Sequence, residues 1–398
     1  MPARRSDVRL LFIARCLRGF GDGFAVIILP AYLSAIGLNP IEIGFVATAS
    51  LLGTAVFTLL IGLIAPRHDL RNMLLLGAAL MVFTGIAFST TEHLILIAAV
   101  AFIGTVNPST GDIGVLVPLE HALLARGVAD EERTRVFARY SLTGALSMAA
   151  GALAAGIADI PVAWGLGKVA AFRLMFSLYA ALGLIAAAIY LRRPRARAEA
   201  SRPVAPLGPS RHVVYRLAAL FSVDAFAGGF IVQSLLALWL FEKFELSLAA
   251  ASLFFFWSGV LSAFSYPIAA RLANRLGLIN TMVFTHIPSS ICLIAAAFSP
   301  DLTLALGLLL VRSALSQMDV PTRTSYVMAV VTPAERTAAA SVTAVPRSLA
   351  SSISPAFSGI LLTLPFSGLP LVVCGTLKIA YDLALLYSFR HIKPPEEK

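Results

Sequence analysis

Of the 398 residues, 58% are hydrophobic and only 13% are charged, about half the charge of an ordinary soluble domain, which carries ~25%. The mean hydropathy is +0.85, and apolar runs of about 20 residues, enough for a bilayer core of roughly 30 Å, recur along the whole chain. A soluble fold is thereby excluded. The formal charge of +10 does not indicate nucleic acid, because the basic residues gather in the short connections between apolar runs, the topological signature of a polytopic membrane protein.

Twelve spanning segments are expected, near 8–36, 40–65, 70–90, 93–124, 134–158, 169–191, 213–241, 247–271, 278–299, 301–331, 337–363 and 367–390. The first follows MPARRSDVR, which resembles a signal-peptide n-region. No small-residue cleavage site follows, so a retained helix is expected. In it Arg15, Arg18 and Asp22 fall at about 0°, 300° and 340° on a helical wheel, sharing one face. An ionisable group inside a bilayer costs several kcal/mol unless paired or hydrated, so each is a candidate functional residue.

The connection between the second and third segments carries Arg67 and Arg71. The fourth segment contains Pro108, Gly111, Gly114 and Pro118, a poor recipe for a regular helix, punctuated by Asp112 and Glu120. Irregular backbone at membrane depth is tolerated where it lines a wet cavity. Glu120 is expected near the cytoplasmic end of this segment, and Arg135 and Arg139 near the start of the fifth. Together they suggest an inner salt-bridge gate.

After the sixth segment, RRPRARAEASRPVAPLGPSRH at 192–212 lacks apolar periodicity and reads as a cytoplasmic linker. The expected domains are therefore 1–191, 192–212 and 213–398. The seventh segment is lightly polar, with Asp224 and Gln233, and Arg275 lies beyond the eighth. In the tenth, Ser316, Asp319, Arg323 and Tyr326 fall within about 40° to either side of Arg312 on an ideal helix. Pro321 there removes the backbone bond to the Gln317 carbonyl. Arg347 in the eleventh segment begins a stripe with Ser351 and Ser354.

Even-numbered connections and both termini hold most of the basic residues, among them Arg67, Arg71, Arg271, Arg275 and Arg336, whereas odd-numbered ones offer only Lys168, Arg173 and Lys243. The positive-inside rule then places both termini in the cytoplasm. Cys16, Cys292 and Cys374 lie within apolar runs without metal-ligand spacing and read as small core residues. No zinc spacing, phosphate-cradling loop or nucleophile elbow occurs. No enzyme, metal or cofactor is expected.

The two halves resemble each other. EERT at 131–134 matches AERT at 334–337 (335 − 132 = 203), GDGF at 21–24 matches AGGF at 227–230 (227 − 21 = 206), APR at 65–67 faces ANR at 273–275 (273 − 65 = 208), and Asp112 faces Asp319 (319 − 112 = 207). Four offsets in the same order point to a duplicated six-helix unit, the parallel repeat on which one large transporter class is built.

Six plus six helices, a basic central linker and a parallel repeat give the chain, over essentially its whole length, a resemblance to major facilitator superfamily transporters. The family's connection between helices two and three reads roughly G-x-L-A-D-R-x-G-R-R. Here GLIAPRHDLR at 62–71 keeps Gly62, Ala65, Arg67 and Arg71 but places Pro66 at the acid position and Asp69 at the second glycine. The second copy, ARLANRLGLIN at 270–280, keeps Ala273, Arg275 and Gly277, with Asn274 at the acid position.

The resemblance implies an all-α membrane fold of two six-helix bundles, with helices one, four, seven and ten lining a central path. It further implies alternating access for a small-molecule substrate, in a monomer embedded in lipid in the cell membrane. Arg67, Arg71 and Arg275 would join Glu120, Arg135 and Arg139 at the cytoplasmic gate. Proton-coupled export of small organic compounds is the first expectation, with Asp22, Asp112 and Asp319 as candidate proton sites. A carrier for an anionic metabolite, held by arginines such as Arg15, Arg18, Arg312 and Arg323, is the alternative. A non-transporting receptor or scaffold would not need such charges inside its helices.

Overall fold

A computed structural model describes residues 5–64, 68–108, 116–127, 130–193, 207–332 and 335–390. Among these the secondary structure is helical, without a strand. The helices are α1 (Arg5–Ala35), α2 (Pro40–Ile64), α3 (Leu70–Thr90), α4 (Leu94–Ile103), α5 (Val117–Gly127), α6 (Asp130–Ala154), α7 (Asp159–Ala163) and α8 (Lys168–Leu191). They continue as α9 (Arg211–Gly229), α10 (Gln233–Phe244), α11 (Leu248–Leu276), α12 (Leu278–Ala297), α13 (Leu302–Ser316), α14 (Asp319–Ala329), α15 (Arg336–Leu362) and α16 (Leu369–Phe389).

Local chemistry sets several boundaries. Asn39 and Glu42 form a reciprocal capping box before α2: the Asn39 amide donates to Glu42 Oε2 at 2.9 Å and the Glu42 amide to Asn39 Oδ1 at 3.0 Å. The Asp69 carboxylate caps α3 through the Arg71 amide at 2.8 Å, and Asp301 caps α13 through the Leu304 amide at 2.9 Å.

Nine helical stretches among the described residues are long and apolar enough to cross a membrane. The other three expected spans contain α1, α4 with α5, and α15. These are the segments loaded with charge, broken, or rich in serine and proline.

Three of the expected spans are interrupted. The chain between α4 and α5 leaves the helical path at Gly104. Its backbone finds side-chain partners there: the Thr105 amide donates to Thr84 Oγ1 at 3.3 Å, and Ser50 Oγ donates to the Val106 carbonyl. Between α9 and α10 the Phe230 carbonyl accepts from Ser358 Oγ at 2.7 Å. Between α13 and α14 the break falls at Gln317–Met318, one turn ahead of Pro321. The Gln317 carbonyl, denied its partner by Pro321, accepts instead from the Val320 amide at 3.4 Å.

Contacts group the chain into two units: Met1–Ala200 with Val232–Phe256, and Ser201–Ile231 with Trp257–Lys398. In the first, α1 packs on α6 and α8, α3 on α8, α2 on α4, and α10 on α1. Its core includes Leu11, Leu74, Leu116, Leu124, Tyr140 and Tyr190. The α1–α6 crossing is close enough that a Cβ on Gly23 would lie 2.0 Å from the Met148 carbonyl oxygen. Only glycine allows backbones to approach so nearly. In the second unit α9 packs on α15, and α12 packs on α13, α14 and α16. Phe221, Met282, Tyr326, Tyr381 and Phe389 lie in its core.

Candidate functional site

Each unit holds a buried polar network. In the first, Arg18 of α1 forms an ion pair with Glu120 of α5. Arg18 is 6% exposed and Glu120 fully buried. The Tyr140 and Tyr190 hydroxyls also donate to Glu120, the latter at 2.6 Å. A carboxylate taken out of water needs its lone pairs satisfied as well as its charge balanced, and two phenols with one guanidinium meet both demands.

One turn further along α1, Asp22 does not reach Arg18. Its Oδ1 accepts from the Tyr179 hydroxyl at 2.9 Å, and Tyr179 meets Thr105 Oγ1 at 3.0 Å. Asp22 thus has a neutral hydrogen-bond partner and no ion pair among the described residues. Arg15, buried at 6% exposure, lies over the Tyr140 ring at 5.2 Å. Gly144 makes room for it, since a Cβ there would lie 2.3 Å from the guanidinium.

In the second unit Asp224 of α9 is the hub. Its Oδ2 accepts from Arg323 Nη1 at 3.2 Å and its Oδ1 from Lys378 Nζ at 2.5 Å. Arg323 also donates to Asp319, one turn back on α14, at 2.8 Å, and lies 5.6 Å over the Phe221 ring. Lys378 stands 3.3 Å from His286 Nε2, and His286 Nδ1 lies 3.0 Å from Asp382 Oδ1. The network ties α9, α12, α14 and α16 together through groups that are nearly all buried. Arg347 of α15 feels the charges of Arg323, Asp224 and Asp319. Its Nε has no hydrogen-bond partner among the described residues.

The remaining expected site residues scatter. Arg312 and Ser316 on α13 are half-buried, and the Arg312 carbonyl accepts from Ser289 Oγ at 3.4 Å. Tyr326, expected on a cavity stripe, is fully buried in the apolar core with its ring 6.1 Å from Phe389. Gln233 is half-buried, its Oε1 without a partner among the described residues. Glu120 was expected to face Arg135 and Arg139, but it pairs with Arg18, and both arginines are exposed on α6. Arg139 helps line a groove of about 420 Å³ with Val8, Arg9, Phe12, Ile13 and Val136. Arg71 is half-buried and Arg275 exposed. Asp112 and Arg67 lie outside the described residues.

Sequence reasoning did not single out Tyr140, Tyr179 and Tyr190, nor His286, Lys378 and Asp382. The last two sit four residues apart in the apolar run 367–390, and the cost of intramembrane charge would have flagged them. The tyrosines carry no such signal, because an intramembrane phenol is as readily a packing residue as a donor.

A helical membrane protein with an ionic network buried in each of two units has the construction of a transporter. The sequence model of the Major Facilitator Superfamily matches residues 11–355, and the chain belongs to that family. It is a multi-pass membrane transporter, not an enzyme. The nucleoside transporter NupG, in a mutant form, superposes with a TM-score of 0.78 at 14% identity, covering 96% of this chain and 100% of that one. The xylose transporter XylE from E. coli, inward open, gives 0.75 at 14% identity over 98% of each chain. At such identities the likeness shows the fold alone. Uncharacterized membrane protein YJR124C of Saccharomyces cerevisiae is 25% identical over 421 residues, spanning 96% of this chain and 94% of its own.

Proposed function

We propose that this chain is a secondary active transporter exporting small organic compounds in exchange for protons. It would have twelve spans in two six-helix bundles, 1–191 and 213–398, joined by the linker 192–212, with both termini cytoplasmic. The observation that carries the reading is Asp22: a carboxylate inside α1 held by the Tyr179 phenol, with no cation among the described residues bonded to it. Such a group can gain or lose a proton without breaking an ion pair, which a coupling site requires. Asp319, bonded to Arg323, is the weaker candidate, because protonating it would strand a buried guanidinium.

The test is substrate-driven proton flux in proteoliposomes, with the substrate found by a thermal-shift screen of metabolites and drugs. Asp22→Asn should retain substrate binding and exchange yet lose response to a pH gradient. An unchanged response would remove Asp22 from the mechanism. A second reading, an anion carrier, is favoured by Arg312 and Arg347, which form no ion pair among the described residues. In that case Arg347→Gln should abolish binding of carboxylate or phosphate compounds in the same screen.

A further inference from the structure

The second unit contains a contested carboxylate oxygen. Asp224 Oδ1 accepts from Lys378 Nζ at 2.5 Å, while His286 Nε2 stands 3.8 Å from the same oxygen. Asp224 Oδ2 is separately held by Arg323. His286 is fixed at its other nitrogen by Asp382 Oδ1 at 3.0 Å. With Asp382 ionised, the hydrogen belongs on Nδ1, and Nε2 then offers a lone pair to Lys378 at 3.3 Å. One ring nitrogen is held by Asp382, and the other faces both an ammonium and a carboxylate.

The charged and titratable groups around His286 come from four elements. α16 brings Lys378, Asp382, Cys374 and Tyr381, whose ring centre is 6.2 Å away. α9 brings Asp224. α13 brings Arg312, whose carbonyl accepts from Ser289 on α12. α14 brings Arg323 and Asp319, bonded to Asp224 or to each other. A proton on Nε2 would turn an acceptor into a cation a hydrogen-bond length from Lys378, and two buried cations cannot share that spacing in a low dielectric. One must leave, and Asp382 holds the ring in place.

We propose that His286 is a proton-binding site whose occupancy exchanges the partner of Asp224, from Lys378 of α16 to His286 of α12. A proton from water forms an N–H bond at Nε2. That N–H donates to Asp224 Oδ1, Nδ1–H keeps Asp382, and Lys378 gives up both contacts. The carboxylate remains ionised throughout and Arg323 keeps Oδ2. One proton thus moves a tie of α9 from one helix to another, a discrete two-state element of the kind coupling needs.

The inference rests on the proton-coupled reading but is tested apart from it, without a substrate. The protein is labelled with nitrogen-15 histidine and lysine and placed in lipid nanodiscs, and His286 is assigned by the signals lost in His286→Gln. As the pH is lowered, the His286 ring should pass from the Nδ1–H tautomer to the doubly protonated form. The Lys378 signal, assigned by Lys378→Met, should move with it. A ring that stays neutral while circular dichroism shows an intact fold, or a Lys378 signal that ignores it, would overturn the proposal. Should Lys378→Met not fold, the joint movement in the wild type still decides. Proton flux in liposomes judges the coupled reading separately: flux without His286 titration sinks only this site, and titration without flux only the coupling.

Discussion

Arg18 and Asp224 occupy corresponding places in the two sequence copies (224 − 18 = 206) and carry opposite charges. Each bonds to a residue beyond a helix break, Arg18 to Glu120 of α5 and Asp224 to Arg323 of α14. Those partners are spaced like EERT and AERT (323 − 120 = 203) and are also reversed in sign. At the sequence offsets that relate the two halves, an interhelical ion pair recurs with its polarity inverted. Because the contact, not the sign, is retained, the pair in each unit should tolerate exchange better than loss. Glu120→Gln leaves Arg18 buried without a counter-charge and should cost about 3–5 kcal/mol. The double exchange Arg18→Glu with Glu120→Arg should recover part of it. Thermal unfolding in detergent compares the three proteins. A single variant as stable as wild type would show that Arg18 finds water or another partner.

The close crossing of α1 and α6 gives a second expectation. A methyl group on Gly23 would meet the Met148 carbonyl at 2.0 Å, and backbone cannot swing aside as a side chain can. Gly23→Ala should therefore separate the helices and destabilise the first unit by about 1–3 kcal/mol. Gly62, with open space around it, serves as the control, where alanine should be neutral or slightly stabilising because it favours the helix. Midpoints of thermal unfolding for the two variants test the difference.

At the α9–α10 break the Phe230 carbonyl depends on Ser358 Oγ. Ser358→Ala removes the donor without changing volume greatly, so a buried acceptor is left unmade. The expected loss is about 1–3 kcal/mol. Hydrogen exchange should localise it, with faster exchange around residues 227–232 while α12 and α16 keep their protection.

How much of this was legible beforehand depends on the kind of interaction. Helices, breaks and buried charges leave local marks. Glycines and prolines marked the interruption of the fourth segment, and Pro321 marked that of the tenth, although the chain yields at Gln317–Met318, where the missing hydrogen bond is felt. Asp319 and Arg323 were placed on one helical face and are bonded across one turn. Pairing between distant segments leaves no such mark. Arg18 lies on the same face as Asp22 by periodicity, yet it bonds to a residue 102 positions away. The Asp224 hub likewise joins residues from α9, α14 and α16 that only folding brings together. Tyr326 shares the polar stripe by angle, but α14 packs on α12 and α15, and there the phenol ring serves the apolar core.

AERT at 334–337 entered as a marker of the repeat, and its glutamate proves to have a local task. Glu335 accepts from Gly208 and Ser210 amides at 2.5 and 3.3 Å and from Ser210 Oγ and Thr332 Oγ1 at 2.8 and 2.7 Å. It anchors the stretch leading into α9, beside a helix N-terminus whose dipole favours an anion. Hydrogen bonds from Thr332 and Ser210, then from the amides, hold the carboxyl down to about 2 from its usual 4.5. The sign follows: the folded group is the stronger acid, so its stabilisation is complete above the unfolded value and is lost as pH falls from about 4.5 towards about 2. Amide exchange at Gly208 and Ser210, corrected for intrinsic pH dependence, should accelerate over that window in the wild type. Glu335→Gln cannot ionise, so its exchange should be faster at neutral pH and flat on acidification. A wild-type profile equally flat would mean that the α9 anchor does not depend on the charge of Glu335.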